Sequence, residues 1–416
     1  MALGGADLAQ PAGPLALYWN PAGLDGVRGW SIGVTGDLAW RTGHFIPSTP
    51  PAGYDTRTRS ELADRGILGG SVVATWARER WTLGVGYVRE EASSTAWDLY
   101  ALPRDFNSEL TYPEKDWVWS SRIDQLLVGA GIQLMPSLRM GVAVFFRRIH
   151  GSGHRVEAAL ADGLSLASSL PVDAGLDVAG AAPGFSAGLR WTPSAEWELG
   201  LHHRSGGKAE VSGLAPRTTY LSSAWVHRYA APDRIHTLPR ASGSVSVSHA
   251  WSVGVAHCPS PRARLLASLE YFTPGEYLEV AYSFPEDELA LLEGVNLAPA
   301  ERGDWPGADQ ASWRLALGAE WGLRHCSARG GVGFEGSAVR SASLSPLRPD
   351  LGVTPSLHLG AAGSGPGAVH WSVGASRVFS TSRPVALGQI DAASPPGQLE
   401  ISGLALIFQL EWTWKE

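Results

Sequence analysis

The sequence predicts an all-β protein: a transmembrane, up-and-down antiparallel β-barrel of about fourteen strands, with a small N-terminal segment inside its lumen. Two observations lead to this prediction. Apolar residues alternate with small or polar residues in one segment after another. The connections between these segments alternate between very short and long. Short turns at one end and longer loops at the other are typical of outer-membrane barrels.

The composition suits a protein that crosses a membrane with strands. The chain has 416 residues, of which 18% are charged, 50 are glycine and 18 are tryptophan. No apolar run is long enough for a transmembrane helix, and the mean hydropathy of −0.04 fits strands that alternate between lipid and lumen. Tryptophan favours membrane interfaces. A net charge of −7 without a polybasic segment argues against a nucleic-acid partner.

The first strand follows residue 28 and shows the pattern that the others share. Trp30, Ile32 and Trp40 lie on one face, whereas Ser31 and Gly33 lie on the other. The same alternation returns, in chain order, at 67–77, 81–88, 119–134, 138–150, 185–191, 197–204, 245–255, 265–271, 313–321, 332–335, 351–362, 369–374 and 403–414. Pairing of the last strand with the first would remove every sheet edge, which the hydrocarbon region of a membrane requires.

The connections between the strands support this up-and-down order. Short turns lie near residues 79, 136, 194, 259, 326 and 365, and long loops lie near 55, 105, 165, 223, 292, 345 and 390. The stretches 91–118, 150–182, 207–240 and 274–311 are predicted as loops, with short helices over Val156–Leu170 and Glu286–Leu292. A soluble β-sandwich or propeller would instead show evenly spaced turns without this asymmetry.

Charged residues on the small or polar face of the strands indicate a wet or well-paired lumen, because lipid would reject them. They are Arg139, Arg147, Arg190, Arg204 and Arg314, with Glu198, Glu270, Glu320, Glu335 and Glu411. In one interpretation these charges pair with one another and brace the barrel. In the other, Arg147, Arg190, Arg204 or Arg314 binds the carboxylate of a ligand.

The predicted inner face is also rich in glycine, which leaves room for another segment inside the barrel. These glycines are Gly33, Gly84, Gly86, Gly129, Gly131, Gly188, Gly200, Gly318, Gly333, Gly374 and Gly403. Residues 1–28 carry no strand pattern and are the candidate plug, which divides the chain into a plug (1–28) and a barrel (29–416). Within the plug, Asn20-Pro21-Ala22-Gly23 predicts a compact turn, since the residue before a proline is driven out of the helical region.

The motifs of enzymes and metal sites are weak in this sequence. Two G-x-S-x-G matches, at 29–33 and 184–188, lie inside predicted strands without the following helix that a nucleophile elbow needs. His202 and His203 are adjacent in a strand and point to opposite faces, so they cannot chelate one ion. We therefore expect no catalytic residues, no metal and no cofactor; a barrel enzyme acting on lipids would need a Ser or Asp near a His on one face.

Two further features bear on the cellular compartment. Met1-Ala2-Leu3-Gly4-Gly5 shows neither a basic segment nor a long apolar run, so no signal peptide is visible. Cys258 and Cys326 are too few for a disulfide scaffold. Both lie in predicted short turns at the same end of the barrel, where they either form one bridge or remain two free thiols.

The N-terminal residues carry a resemblance to a known family. Gly4-Gly5-Ala6 followed by Leu17-Tyr18-Trp19-Asn20-Pro21-Ala22-Gly23-Leu24 resembles the start of the FadL/TodX family of outer-membrane transporters of long-chain fatty acids and other hydrophobic compounds. Thr192-Pro193, Leu199-Gly200-Leu201 with Arg204-Ser205, and Leu238-Pro239 are similar to the middle of its barrels. The resemblance covers essentially the whole chain.

This resemblance implies a bacterial outer-membrane channel that admits hydrophobic small molecules without a cofactor or an energy source. It implies a hatch gated around Asn20, Pro21 and Ala22, and a kink in the third strand, at Gly84 and Gly86, that opens a lateral exit. The expected partners are a hydrophobic ligand, outer-membrane lipids and lipopolysaccharide, and the expected state is a monomer. The alternative is a barrel without transport that serves as a scaffold, or as an attachment or shuttle protein in secretion or surface assembly, and it predicts a lumen closed by bulky side chains.

Overall fold

The computed structural model describes most of the chain as one β-barrel with a segment inside it. The described residues are 6–9, 13–24, 29–48, 55–56, 59–62, 67–101, 115–159, 170–275, 278–305, 310–339, 352–365, 368–385 and 396–415.

Fourteen antiparallel strands form the barrel wall. Their bounds are β1 Gly29–Pro47, β2 Ile67–Arg78, β3 Trp81–Trp97, β4 Trp117–Met135, β5 Leu138–Ala159, β6 Leu170–Ser194, β7 Trp197–Arg204 with Gly207–Leu214 and Arg217–Tyr220, β8 Arg234–Thr237 with Arg240–Val247 and Ala250–Ser260, β9 Ala263–Phe272 with Leu278–Ser283, β10 Arg302–Trp305 with Ser312–Gly322, β11 Cys326–Glu335, β12 Thr354–Ser364, β13 Val369–Val385 and β14 Gly397–Lys415. The barrel is closed because β1 pairs with β14 from Gly29↔Lys415 to Pro47↔Gly397 and with β2 on its other side.

Smaller elements lie inside the barrel and at its long-loop end. The helices are α1 Ala16–Trp19, α2 Ser223–Tyr229 and α3 Glu286–Gly294, and two 3-10 turns span Ala6–Ala9 and Pro21–Gly23. Ser60–Glu61 pairs with β1, and Asp55–Thr56 pairs with Tyr100–Ala101. None of the helices in the described part of the chain has the length and apolarity needed to cross a bilayer.

The barrel is apolar on the outside, as the alternation of the sequence predicts. Val144 on β5 is 63% exposed, whereas its neighbour Ala143 is 2% exposed. The same inversion recurs on β3, where Trp81, Leu83 and Val85 are exposed and the residues between them are buried. Exposed apolar side chains in this regular pattern are explained by contact with lipid rather than water.

Two aromatic girdles bound this apolar surface. The girdle near the short turns comprises Trp30, Trp81, Trp191, Trp197, Trp321, Trp371, Trp412 and Trp414. The girdle on the long-loop side comprises Trp40, Tyr87, Phe146, Phe185, Trp251, Tyr271 and Trp313. On β4 the apolar face runs from Leu126 to Met135, which is about 30 Å along the strand and about 23 Å along the barrel axis at a tilt of about 40°. This height matches the apolar band of outer-membrane barrels.

The strands extend further beyond this band than the sequence predicts. The predicted loop at 91–118 contains the end of β3, up to Trp97, and the start of β4 at Trp117. The predicted loop at 207–240 contains strand segments of β7 and β8, and the helix predicted over Val156–Leu170 is wrong because β5 continues to Ala159. Residues 160–169 lie outside the described residues. These strand extensions do not show the period-two pattern, because neither of their faces touches lipid. The predicted Glu286–Leu292 helix is confirmed as α3.

Neither cysteine forms a disulfide, and both are only partly buried. Cys258 lies near the end of β8 and Cys326 begins β11, so β9 and β10 stand between them. Three interstrand spacings of about 4.8 Å separate their backbones by about 14 Å, well beyond the Cα–Cα limit of about 7 Å for a disulfide. The short turns do lie at one end of the barrel, but the strand order keeps the thiols apart.

Both thiols are therefore expected to react with a maleimide without prior reduction. Intact mass should show two adducts on the detergent-solubilised protein, and treatment with a reductant beforehand should add none. A protein that accepts maleimide only after reduction would contradict this structure. Cys258→Ser provides the control, because a single remaining thiol should give one adduct.

Candidate functional site

The described part of the N-terminal segment, residues 6–9 and 13–24, packs against the inner face of the barrel. Leu17 is 0% exposed although it belongs to an isolated four-residue helix, α1, so its burial comes entirely from the wall around it. Leu15, Leu17 and Leu24 form a buried cluster with inward-facing residues of β2 to β5 that include Val73 and Phe145. These described residues therefore lie inside the barrel, near its short-turn end.

The turn at Asn20–Ala22 is seated on a row of glycines. Gly131 on β4 pairs with Gly141 on β5, which in turn pairs with Gly188 on β6. A Cβ atom on Gly141 would lie 2.5 Å from the Ala22 nitrogen and closer still to Pro21, and one on Gly188 would overlap the Asn20 carboxamide. Only glycine at these three positions lets the turn approach the wall this closely.

Two more glycine pairs seat other parts of the segment. Gly84 on β3 and Gly129 on β4 are ladder partners, and a Cβ on Gly129 would lie 2.7 Å from a methyl group of Leu17. Gly200 on β7 and Gly254 on β8 are ladder partners beneath Leu8 and Ala9, where added Cβ atoms would come within 2.8 Å of the Ala9 backbone. Glycines on β3 to β8 thus leave the space that the described part of the segment occupies against the wall.

Local chemistry explains the shape of the turn. Asn20 has extended backbone angles and precedes Pro21, which supplies the fixed φ preferred at the first position of the following 3-10 turn. The Asn20 Oδ1 accepts a hydrogen bond from the Ala22 N–H at 3.1 Å, and its Nδ2 donates to the Leu201 carbonyl of β7 at 3.5 Å. Asn20 is fully buried, so one side chain both caps the turn and ties it to the wall.

A second tie joins the segment to the wall through Arg204. The Arg204 guanidinium donates to the Tyr18 hydroxyl at 2.6 Å, and its carbon atom lies 5.3 Å from the centre of the Tyr18 ring. Arg204 is one of the arginines predicted to face the lumen. Its contact is with the N-terminal segment itself.

The long-loop half of the barrel interior holds a buried aromatic cluster: Trp97, Trp117, Trp119, Tyr282 and Trp305. Trp119 stacks on Trp305 with ring centres 5.3 Å apart, and the Trp305 indole N–H donates to the Tyr282 hydroxyl at 3.0 Å. Aliphatic residues of β13 and β14, among them Val385 and Leu399, extend the same buried cluster. The sequence pattern does not reveal this cluster, because it predicts a loop over the stretch that holds Trp97 and Trp117; three tryptophans within 23 residues are the signal that points to it.

A charged group sits beside this aromatic cluster. Glu157 on β5 accepts from Arg155 at 2.8 Å and from Arg217 on β7 at 2.7 Å, and the two guanidinium groups lie over the Trp305 and Tyr282 rings. Burial by itself raises the pKa of Glu157, but the two guanidinium groups outweigh burial and hold the pKa below its ordinary value. The group lies beyond the apolar band, on the extended part of the strands.

Comparisons with solved structures match this arrangement over almost the whole chain. A Pseudomonas aeruginosa FadL homologue has a TM-score of 0.74 at 16% identity, covering 98% of this chain and 97% of that chain. The Pseudomonas putida toluene transporter TodX has a TM-score of 0.69 at 14% identity, covering 99% and 98%. The protein has the FadL fold. The Ralstonia pickettii toluene transporter TbuX also matches, with a TM-score of 0.69 at 13% identity and coverage of 99% and 97%. No protein-family model and no curated protein sequence matches the chain.

Within this FadL fold, two of the arginines proposed as ligand-binding groups are paired with glutamates. Arg190 on β6 lies 2.9 Å from Glu198 on β7. Arg314 on β10 lies 3.2 Å from both Glu270 on β9 and Glu335 on β11. These cross-strand pairs favour the interpretation in which the inner charges brace the barrel, and a ligand carboxylate would have to compete with them.

The fourth candidate, Arg147 on β5, is fully buried. Its guanidinium lies 4.3 Å from the centre of the Phe145 ring and donates to the Ser205 carbonyl at 2.8 Å. Ser205 falls where β7 is interrupted, and its hydroxyl accepts from the Phe185 N–H of β6 at 2.8 Å. Arg147 therefore supports an irregular part of the wall, and its role towards a ligand stays a prediction.

The third strand, β3, is regular at Gly84 and Gly86, where the FadL resemblance predicts a kink. Both glycines keep their ladder partners on β2 and β4, and the register shift of β3 lies between Arg89 and Glu91. The structure places Gly84 under Leu17 instead, with an added Cβ at 3.3 Å. A lateral exit at these glycines stays a prediction.

The histidine pair lies as the alternation predicts. His202 is buried on the inner face, whereas the His203 ring packs outside against Trp251 at 4.0 Å. Among the described residues no group of three His, Cys, Asp or Glu side chains could hold a metal ion.

Proposed function

We propose that the protein is an outer-membrane channel for the passive uptake of hydrophobic small molecules, such as long-chain fatty acids or aromatic hydrocarbons. The observation that carries the proposal is the match of the fold, over almost the whole chain, to a FadL homologue and two toluene transporters. The lumen also holds an apolar aromatic cluster, whereas a porin lumen is polar and water-filled. Because this cluster is buried, as the scaffold alternative also predicts, uptake measurements decide between the two. In this proposal residues 1–28 are the hatch and residues 29–416 are the barrel. Long loops of such barrels face outwards, so a ligand would meet the aromatic cluster before the hatch.

The seating of the segment supports a hatch that moves. The described residues 6–9 and 13–24 contact the wall through van der Waals contacts on glycine and the buried leucine cluster, joined by the hydrogen bonds of Asn20 and Tyr18. A hydrogen bond of this kind contributes about 1 kcal/mol, or about 1.5–3 kcal/mol to a charged group. Release of the segment therefore costs far less than opening the barrel wall, whose strands are joined by continuous ladders.

The fold comparison supports a hydrophobic ligand, because two of the proteins with this fold are named toluene transporters. The outer surface indicates the partners on the membrane side. Its apolar band would contact the acyl chains of outer-membrane lipids, with lipopolysaccharide on the long-loop side, and the protein would act as a monomer.

Uptake into liposomes tests the proposal. Purified protein in liposomes whose outer leaflet is lipopolysaccharide should admit labelled toluene and labelled oleate faster than protein-free liposomes of the same lipids do, without any gradient other than that of the solute. Asn20→Ala removes the cap of the turn and its tie to Leu201, which costs about 1 kcal/mol. We expect the initial rate to rise about fivefold, because that free energy shifts the hatch towards its released state.

Gln409→Ala is the matched control, since it removes an inward-facing amide from β14 whose partner is Ser372 rather than the hatch. Its uptake should equal that of the unmodified protein. Wild-type uptake no faster than in protein-free liposomes would contradict transport and favour the scaffold alternative. A normal wild-type rate with an unchanged Asn20→Ala rate would remove the turn from the mechanism.

A further inference from the structure

The outer surface of β3, β4 and β5 changes from apolar to charged side chains towards the long loops. Ladder partners Val85, Val128 and Val144 form an exposed apolar row that crosses all three strands. The next row towards the long loops is made by Tyr87, Leu126 and Phe146, which are again partners across the ladder. Tyr87 and Phe146 belong to the aromatic girdle on the long-loop side. Both rows lie in the lipid-facing band.

The row directly above them is charged. Arg89 pairs with Asp124, which pairs with Arg148, so a carboxylate lies between two guanidinium-bearing positions. Arg122 stands one step further along the same face of β4. We refer to Arg89, Arg122 and Arg148 as the arginine patch.

The Asp124 carboxylate contacts two of the three arginines of the patch. The Arg89 Nε donates to Asp124 Oδ1 at 3.0 Å, the Arg122 Nε lies 2.8 Å from Oδ2, and the Tyr87 hydroxyl donates to Oδ1 at 2.5 Å. The Asp124 side chain is 14% exposed and that of Arg122 is 42% exposed, so the carboxylate is covered and guanidinium faces outwards.

The charges of the patch do not cancel. Among the side chains of the patch that the structure describes, three arginines against one aspartate leave two positive charges. Beside them, His150, the ladder partner of Arg122, pairs with Asp177 at 3.0 Å. Each guanidinium has five N–H donors. Arg89 uses Nε towards Asp124 and one Nη2 donor towards the Tyr87 hydroxyl at 3.3 Å, and Arg122 approaches Asp124 through Nε, so other Nη donors remain for another acceptor. Arg148 is exposed, and no carboxylate among the described residues pairs with it.

The position of the patch selects the acceptor. The patch occupies the first outward-facing positions beyond the apolar band on the long-loop side, which is the headgroup level of the outer leaflet. Phosphate is the anion that lipids present at this level, and the planar guanidinium binds phosphate through paired hydrogen bonds. The valine and aromatic rows beneath provide a smooth surface for the acyl chains of the same molecule.

We propose that the arginine patch binds the phosphate of an outer-leaflet lipid on the outside of the barrel. The lipid lies with its acyl chains along the Val85–Val128–Val144 row and its phosphate against the guanidinium groups. The site depends on the orientation of the barrel in the membrane and not on transport, so failure of the uptake experiment leaves it intact.

Native mass spectrometry of the detergent-solubilised protein tests the site with three probes: bis-phosphorylated lipid A, the same lipid without phosphates, and inorganic phosphate. The unmodified protein should bind the phosphorylated lipid about 25-fold more tightly than the dephosphorylated lipid, since each of the two uncompensated positive charges contributes about fivefold near an anionic group. R89Q/R122Q/R148Q should remove this preference. The preference of the unmodified protein should also fall as salt is raised.

Arg377→Gln is the matched control, because Arg377 is an exposed arginine of β13, on a distant part of the wall, and its loss should change nothing. Should the triple variant fail to fold, Arg148→Gln alone should weaken binding of the phosphorylated lipid about fivefold. Equal binding of the two lipids by the unmodified protein, or an undiminished preference in the patch variants, would overturn the proposal. Binding of inorganic phosphate as tight as that of the phosphorylated lipid would overturn the lipid assignment.

Discussion

Gly141→Ala is expected to release the N-terminal segment from its seat and make the barrel leaky. The new methyl group would lie 2.5 Å from the Ala22 nitrogen and closer still to Pro21, distances at which one group must move. The wall at Gly141 is held by ladder partners on both sides, Gly131 and Gly188, whereas the turn is held by a small number of ties. The turn is therefore the part that moves.

The size of this effect follows from the cost of overpacking. Inserting a methyl group into a tight contact costs about 1–3 kcal/mol, which shifts the balance between seated and released segment roughly 5- to 150-fold. Single-channel recordings in planar bilayers should show this as a higher open probability. Cells that carry the variant should become more sensitive to hydrophobic antibiotics that the outer membrane normally excludes.

Gly403→Ala is the matched control for this substitution. Gly403 also faces inwards, from β14, but the nearest atom to an added Cβ is the Trp40 carbonyl oxygen at 3.5 Å, an ordinary contact. Its conductance should match that of the unmodified protein. Equal recordings from Gly141→Ala and Gly403→Ala would show that the turn does not close the pore.

Glu157→Gln is expected to produce the largest loss of stability. The substitution leaves the side chains of Arg155 and Arg217, which are 5% and 10% exposed, without their shared carboxylate beside the aromatic cluster. Removing one partner from a buried ion pair costs about 3–5 kcal/mol, because the remaining charge has no water to compensate it. Urea-dependent unfolding of the protein in lipid should shift to lower urea by a corresponding amount.

The exposed pair Arg302–Glu279 provides the comparison. Its side chains are 73% and 59% exposed, so Glu279→Gln should change the free energy of unfolding by less than about 1 kcal/mol. Similar losses from the two substitutions would contradict the burial of the Glu157 group.

The contribution of Glu157 also depends on pH in a defined direction. Its folded-state pKa lies below the ordinary value of 4.5, so the unfolded chain binds the proton more readily. The stabilisation is therefore complete above the ordinary value and is lost as pH falls below it. The stability difference between the unmodified protein and Glu157→Gln should be constant near neutral pH and shrink in acid.

The membrane-embedded part of the barrel could be predicted from sequence because lipid imposes a strict rule on it. Every second residue of Trp81–Val85 or Met140–Phe146 must be apolar, and this period was readable without knowledge of the strand pairs. On the long-loop side of the apolar band the strands no longer contact lipid, so every second residue need not be apolar. The sequence consequently predicts a loop where Trp97 and Trp117 face inwards in the buried aromatic cluster.

The site was predictable in kind but not in detail. Inner glycines such as Gly131 and Gly188 were recognised from the alternation, whereas Gly141 and Gly254 were missed although the same alternation places them on the inner face. That Gly131, Gly141 and Gly188 form one row is a consequence of register across three strands. Register depends on turn lengths and on the stagger of the whole barrel, which a single strand does not encode.

By itself, the sequence determined the fold class, the lipid-facing surface and the presence of an N-terminal segment that required room inside. These properties depend on the period of two and on composition, which are local and are imposed by the solvent. Only the tertiary structure decided which glycines seat the Asn20–Ala22 turn, which glutamates pair with Arg190 and Arg314, and where Arg89, Arg122 and Arg148 meet around Asp124. Each of these contacts joins residues that are distant in sequence, and the register of closed strands alone brings them together.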